Sequence, residues 1–248
     1  MKNLIKLLVF CVALFTVFIT YKAFTKESSK IYYIPVGDSI AEGMNSYGAI
    51  EYGYTDYVKD YLEKKDRLKF YTKSFSKSGY TTQDVKNDIN NNKMIKVDNQ
   101  SIYITEALRE SDLVTISIGA NDFIKGISIY EVDSLIQDIK SVKKKIDSIG
   151  TNVKEVIELI KKYAKNQIIL VGYYNPFPRM TEYKDKIDEI IKYVNHMYEQ
   201  IAEDEKIEYI DIFDIFEKNT QDLPNPMNIH PMESGYKKIA DKVINKIQ

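Results

Sequence analysis

The chain has 248 residues, 44% hydrophobic and 29% charged, a balance that supports a buried core and excludes an intrinsically disordered chain. Lys and Arg number 35 against 36 Asp and Glu, a formal net charge of −1, so no basic excess points to nucleic acid as a partner. A single cysteine, Cys11, and two histidines, His196 and His230, exclude an internal disulfide, cysteine chemistry in the folded part and most histidine-rich metal sites.

Lys2 and Lys6 precede an uncharged run from Leu7 to Tyr21, the basic and apolar parts of an export signal. The run is shorter than the roughly 18 to 20 residues of a membrane span, yet Lys6 and Lys22 can snorkel and Tyr21 suits an interface. The stretch Thr20-Tyr21-Lys22-Ala23-Phe24-Thr25 is a poor match to an Ala-x-Ala-like cleavage site, which favours an uncleaved anchor over a cleaved signal. Residues 1–25 are therefore expected to be a signal peptide or membrane anchor. Residues 26–248 are expected to be one exported domain, anchored at the extracellular face of the membrane or secreted.

From Lys30 onward strand-like and helix-like segments alternate, as expected of a parallel sheet wrapped by helices. Ile31 to Val36 is β-branched, aromatic and apolar and stops at Gly37, a first strand. A helix is expected over Thr55 to Arg67, then a second strand over Leu68 to Phe75 leading to Ser78-Gly79. Thr81 or Thr82 can cap a helix that runs to about Asn92. Asp112 to Ile118 reads as the third strand and ends in Gly119-Ala120-Asn121-Asp122. Apolar residues between Leu135 and Ile160 fall in alternating steps of four and three, so one long helix or a bent pair is expected to pack on the sheet, with Gly150 as the bend. Gln167 to Tyr173 is a fourth strand, stopped by Asn175-Pro176-Phe177-Pro178. A helix over Thr181 to Glu205, a short strand over Ile207 to Ile212 and an amphipathic helix over Ser234 to Ile247 complete a three-layer α/β/α arrangement on a five-stranded parallel sheet.

Strand carboxyl ends of an open parallel sheet share one edge. Gly37-Asp38-Ser39-Ile40, Ser78-Gly79 and Gly119-Ala120-Asn121-Asp122 should therefore meet there, and the late loop Asn228-Ile229-His230-Pro231 can join them. A serine hydroxyl attacks only when a base takes its proton, and neutral histidine is the usual base. Ser39 and His230 supply that pair. Charge developing on an attacked carbonyl oxygen needs preorganised donors, which Ser39 N–H, Gly79 N–H and the Asn121 side-chain amide can provide.

In this chain order the four segments resemble the SGNH/GDSL hydrolase family, over residues 31 to 248. The resemblance implies the family's flavodoxin-like fold and an esterase, lipase or acylhydrolase working through an acyl-serine. Ser39 would be the nucleophile, Gly79 and Asn121 oxyanion donors and His230 the base, with no cofactor and no metal. The family usually has an aspartate three residues before the histidine, where this chain has Met227. Asn228, Asp222 or a backbone carbonyl is left to orient the imidazole. That departure keeps two alternatives in play: a binding protein that has lost turnover, and an acyltransferase using the same site. Substrates are expected to be small-molecule, lipid or acylated-saccharide esters. Asp38 is read as a turn anchor, Asp122 as a cap or turn anchor and His196 as structural or solvated. Of the 20 tyrosines, Tyr47, Tyr52 and Tyr54 are placed best to line a substrate site, and the rest read as compositional bias.

Overall fold

The structure, a computed structural model, describes residues 30–125, 138–226 and 228–247. The expected signal or anchor, Leu135 and Met227 lie outside the described residues. In chain order the elements are β1 (Ile31–Gly37), α1 (Ser39–Glu42), α2 (Tyr54–Lys64), β2 (Leu68–Tyr71), α3 (Thr82–Asn90), β3 (Met94–Val97), β4 (Gln100–Tyr103), α4 (Ile104–Glu110), β5 (Leu113–Ser117), α5 (Ala120–Ile124), α6 (Ile139–Lys161), β6 (Gln167–Val171), α7 (Lys184–Glu205), β7 (Glu208–Ile210), α8 (Asp214–Glu217) and α9 (Glu233–Ile244).

Among the described residues, β2-β1-β5-β6-β7 form a five-stranded sheet in which each neighbouring pair is parallel. The period-two alternation of a strand divides the core in two. Ile34, Val36, Val114, Ile116, Ile168 and Leu170 face one layer with α3, α4, α6 and α7. Tyr33, Leu113, Ile169 and Val171 face the other, where Val58 and Leu62 of α2 pack with Tyr236, Ile239, Ala240 and Val243 of α9. The chain leaves β1 for β2 on one side and then crosses to β5 on the other. The cleft between β1 and β5 is thus the topological switch point, where open α/β sheets place their ligands. Gly37 ends β1 against Ser117, and a Cβ there would lie 2.1 Å from the Ser117 carbonyl oxygen, so only glycine lets the two strand ends approach this closely.

Besides a second strand that stops at Tyr71, short of the expected Phe75, a hairpin and a long helix depart from the sequence reading. A small antiparallel hairpin of β3 and β4 follows α3, its turn made by Asp98 and Asn99 at φ +47° and +66°. The long helix α6 is a single helix whose buried stripe (Val142, Ile146, Ile149, Val153, Val156, Ile160) matches the expected seam. Gly150 makes room rather than a break: a Cβ there would meet Met197 Sδ of α7 at 2.3 Å. Among the described residues no helix is long and apolar enough to cross a membrane.

Candidate active site

Ser39 is the first residue of α1, directly past the end of β1. Asp38 caps that helix: its N–H donates to Ser117 O at 3.0 Å and its Oδ1 accepts from Ile40 N–H at 3.0 Å. Asp38 thus fixes the turn that presents the serine, as a turn anchor should. Burial pushes its carboxyl up to about 7, with the charge of Asp122 adding to the shift. The folded protein therefore holds a proton on Asp38 that the unfolded chain, with an ordinary carboxyl near 3.8, gives up. Stability from this group falls as pH rises between those two values. Asp38→Asn keeps the acceptor for Ile40 and removes the buried charge. Its Tm is expected to exceed the wild-type Tm above pH 7 and to converge on it near pH 4, as thermal melts at a series of pH values would show.

His230 approaches from the loop before α9, with Nε2 at 2.7 Å from Ser39 Oγ. On its other side Nδ1 lies 2.6 Å from Asn228 Oδ1. The same oxygen accepts the His230 backbone N–H at 3.0 Å, which fixes the amide orientation of Asn228. An amide oxygen only accepts, so Nδ1 carries the ring hydrogen and Nε2 offers its lone pair to the Ser39 hydroxyl, the tautomer a base requires. Asp222, the other candidate orienter, does not take this place. Its carboxylate accepts from Ser234 Oγ at 2.5 Å and from Lys238 Nζ, and its carbonyl accepts from Met232 N–H at 2.8 Å. It braces the loop that carries the histidine, and it is engaged there because a buried carboxylate needs the Lys238 charge as partner.

Burial lowers the His230 pKa from 6.5 to about 4, and among the described residues no carboxylate beside the ring opposes that shift. The imidazole is therefore neutral, and able to act as a base, down to about pH 4. The acidic limb of kcat/KM is expected there rather than near the ordinary histidine value. Asn228→Asp places a charge on Nδ1–H. It should move that limb upward, because the imidazolium becomes easier to form, and raise kcat at neutral pH by about tenfold. A pH–rate profile of the two proteins measures both effects.

Gly79 lies in the turn Lys77-Ser78-Gly79-Tyr80, closed by Tyr80 N–H donating to Lys77 O at 3.1 Å. Its φ of +81° is the value a type II turn requires at the third position, and a Cβ added there would project into open space. The Asn121 amide, on α5 beyond β5, donates to Tyr80 O at 2.9 Å, leaving a second N–H for a bound group. Asp122 ties the same two segments together, accepting from Thr82 N–H at 2.9 Å and from the Thr82 hydroxyl. Thr81 caps α3 through Asp84.

Buried hydroxyls hold the carbonyls around these loops, a role that sequence reasoning missed. Tyr173 and Tyr198 donate to Ile118 O at 2.8 and 2.7 Å, just before the Asn121 segment. Tyr174 donates to Ile229 O at 2.7 Å, just before His230, and Tyr236 donates to Met44 O at 2.6 Å, after Ser39. Ser46 Oγ donates to the His230 carbonyl at 2.6 Å and receives support from Asn225 Nδ2 on its own carbonyl at 2.9 Å, linking the serine and histidine loops. The excess of tyrosine over tryptophan was the one trace of this in the sequence. A tyrosine fills a core position and still carries a hydroxyl to a backbone acceptor.

Of the three tyrosines expected at a substrate site, Tyr54 is fully buried, with its hydroxyl 3.2 Å from Thr115 Oγ1, and lines nothing open. Tyr47 is 73% exposed and Tyr52 37%, both on the loop after α1. His196 is exposed on α7 beside a groove of about 590 Å³ along the β7 edge, which none of the Ser39, Gly79, Asn121 and His230 side chains lines. Among the described residues no group of three or more His, Cys, Asp or Glu side chains gathers to hold a metal ion.

The sequence profile of the GDSL-like Lipase/Acylhydrolase family matches residues 36–238. The spore germination lipase LipC of Bacillus licheniformis is 24% identical over 213 residues, 85% of this chain and 93% of that protein. Among solved structures, the lipase Lip_vut3 from a goat rumen metagenome superposes with a TM-score of 0.68 at 22% identity, covering 85% of this chain and 94% of that one. The acetylxylan esterase Axe2 of Geobacillus stearothermophilus superposes with a TM-score of 0.57 at 22% identity, covering 90% of this chain and 98% of that one. These likenesses show the three-layer fold with its five-stranded parallel sheet.

Proposed function

The chain belongs to the GDSL-like Lipase/Acylhydrolase family, a class of ester hydrolases, and from that premise we propose that it cleaves carboxylic esters through an acyl-Ser39 intermediate with His230 as general base. The observation that carries this reading is the 2.7 Å contact between Ser39 Oγ and His230 Nε2, with the ring tautomer set by Asn228.

In the first step the Ser39 proton passes to His230 Nε2, Oγ bonds to the ester carbonyl carbon, and the carbonyl π pair moves onto oxygen. The oxyanion is met by the N–H groups of Ser39 and Gly79 and by the Asn121 amide. Collapse breaks the bond to the alcohol, which leaves with the proton from Nε2. Water then attacks the acyl-serine, giving its proton to Nε2, and the acid departs as that proton returns to Ser39 Oγ. Asn228 orients the imidazole throughout but brings no charge to the imidazolium, so each proton transfer lacks the help a carboxylate gives.

The exposed Tyr47, Ile50 and Tyr52 on the loop after α1 favour substrates with an apolar portion. The uncharged run behind Lys2 and Lys6 supports action outside the cytoplasm, on acylated saccharides or lipids of the cell envelope. The test is release of free acid from a series of p-nitrophenyl esters and from an acetylated oligosaccharide, followed by pH-stat. Equal release of acid and alcohol supports hydrolysis. Release of alcohol alone, with the acyl group recovered on an added acceptor alcohol, would overturn it in favour of acyl transfer.

A further inference from the structure

Glu42 stands three residues after Ser39, at the end of α1, with its side chain partly buried. One of its carboxylate oxygens, Oε2, accepts two bonds from a single residue: the Ser78 backbone N–H at 2.6 Å and Ser78 Oγ at 2.5 Å. Ser78 is the residue before Gly79, so the carboxylate grips the turn beside the peptide whose N–H serves the oxyanion. We propose that Glu42 is a positioning residue of the oxyanion site, anchoring Ser78 and so fixing where the turn that carries the Gly79 N–H stands relative to Ser39. The proposal rests on the reading of Ser39 and His230 given above.

The central peptide of a β-turn has two common orientations, types I and II, which differ by a flip of that peptide. Gly79 holds the type II value, φ +81°, but glycine enters and leaves the left-handed region at little cost, so it does not by itself hold the peptide there. Other bonds hold the ends of the turn. Lys77 N–H donates to Gly37 O at 3.1 Å, and Asn121 Nδ2 donates to Tyr80 O at 2.9 Å. Ser78 is the one of the two central residues that has a side chain, and its N–H and Oγ both donate to Glu42, which anchors that half of the turn. Bonds to a carboxylate are shorter and stronger than neutral ones, and a carboxylate has no hydrogen with which to compete for the turn's acceptors. Because Glu42 and Ser39 share one helical turn, this grip sets the Gly79 N–H relative to the Ser39 N–H through a rigid span of three residues.

The experiment compares full-chain wild type with Glu42→Ala, Glu42→Gln and Ser78→Ala on one p-nitrophenyl ester, with thermal melts of each. Inhibition by a trifluoromethyl ketone, which takes up Ser39 Oγ and becomes an oxyanion, is measured alongside. Glu42→Ala is expected to lower kcat by about 10- to 100-fold and to weaken the ketone by a similar factor, with KM within about twofold. Glu42→Gln, whose Oε1 can accept the same two bonds, is expected to recover to within about threefold of wild type, and Ser78→Ala to fall between. Wild-type kcat and wild-type ketone affinity in Glu42→Ala would overturn the inference while leaving the Ser39–His230 reading intact. So would a loss that follows Tm alone and is not restored by glutamine. A wild-type protein that turns over no ester would remove both.

Discussion

Ser39→Ala is expected to lower kcat for ester hydrolysis by about 10⁴-fold or more, and His230→Ala by a comparable factor. In the proposed mechanism the hydroxyl forms the acyl bond, and the imidazole 2.7 Å from it takes its proton. The two act as one unit, so the double variant should be little worse than either single one. Steady-state kinetics on the three variants, with melts to show that each folds, test this. A His230→Ala protein close to wild type would mean that another group removes the serine proton. Two multiplicative losses would mean that the two residues work independently.

The second large effect is expected at the proposed oxyanion donors. Asn121→Ala removes a donor and also frees Tyr80 O, so kcat should fall by about 10²- to 10³-fold with little change in KM. Gly79→Ala acts differently. Its Cβ meets no protein atom within 4 Å, but φ +81° is strained for an L side chain. The turn is then expected to relax and carry the Gly79 N–H away from the reacting oxygen. Both variants should bind a non-reacting substrate analogue nearly as well as wild type. A loss confined to KM, measured on the same ester, would place these groups in ground-state binding instead.

Much of the fold was legible because strand and helix periods differ so clearly along the chain. The stretch from Ile31 to Val36 reads as a strand that stops at Gly37, and the seam of α6 appears at its observed positions. Strand order does not follow from such patterns, since β2 and β5 flank β1 through contacts far apart in sequence. The β3–β4 hairpin is not legible in the sequence because Asp98-Asn99 is a weaker turn signal than Asn-Gly, and because its strands are four residues each. Gly150 shows the same limit: a helical glycine signals either a bend or a close neighbour, and only the position of Met197 supplies the second reading.

The site divides in the same way. Ser39, Gly79, Asn121 and His230 stand out because each follows a strand or sits in a turn-rich loop, where the chemistry of a side chain is not explained by packing. Their supports do not stand out. Asn228 and Asp222 were both candidates for the imidazole, and the choice depended on Lys238 and Ser234 engaging the second. Tyr174, Tyr236 and Ser46 reach carbonyls 55, 192 and 184 positions away, a distance at which no local pattern speaks.

The central claim is that Ser39 is an activated nucleophile, and covalent labelling tests it most directly. The full-length protein would be treated with a fluorophosphonate, digested, and its modified peptide identified by mass spectrometry. The account predicts a single phosphonyl adduct on Ser39, absent from Ser39→Ala and formed far more slowly in His230→Ala. A folded wild-type protein that takes no label, or that takes it on another residue, would contradict it.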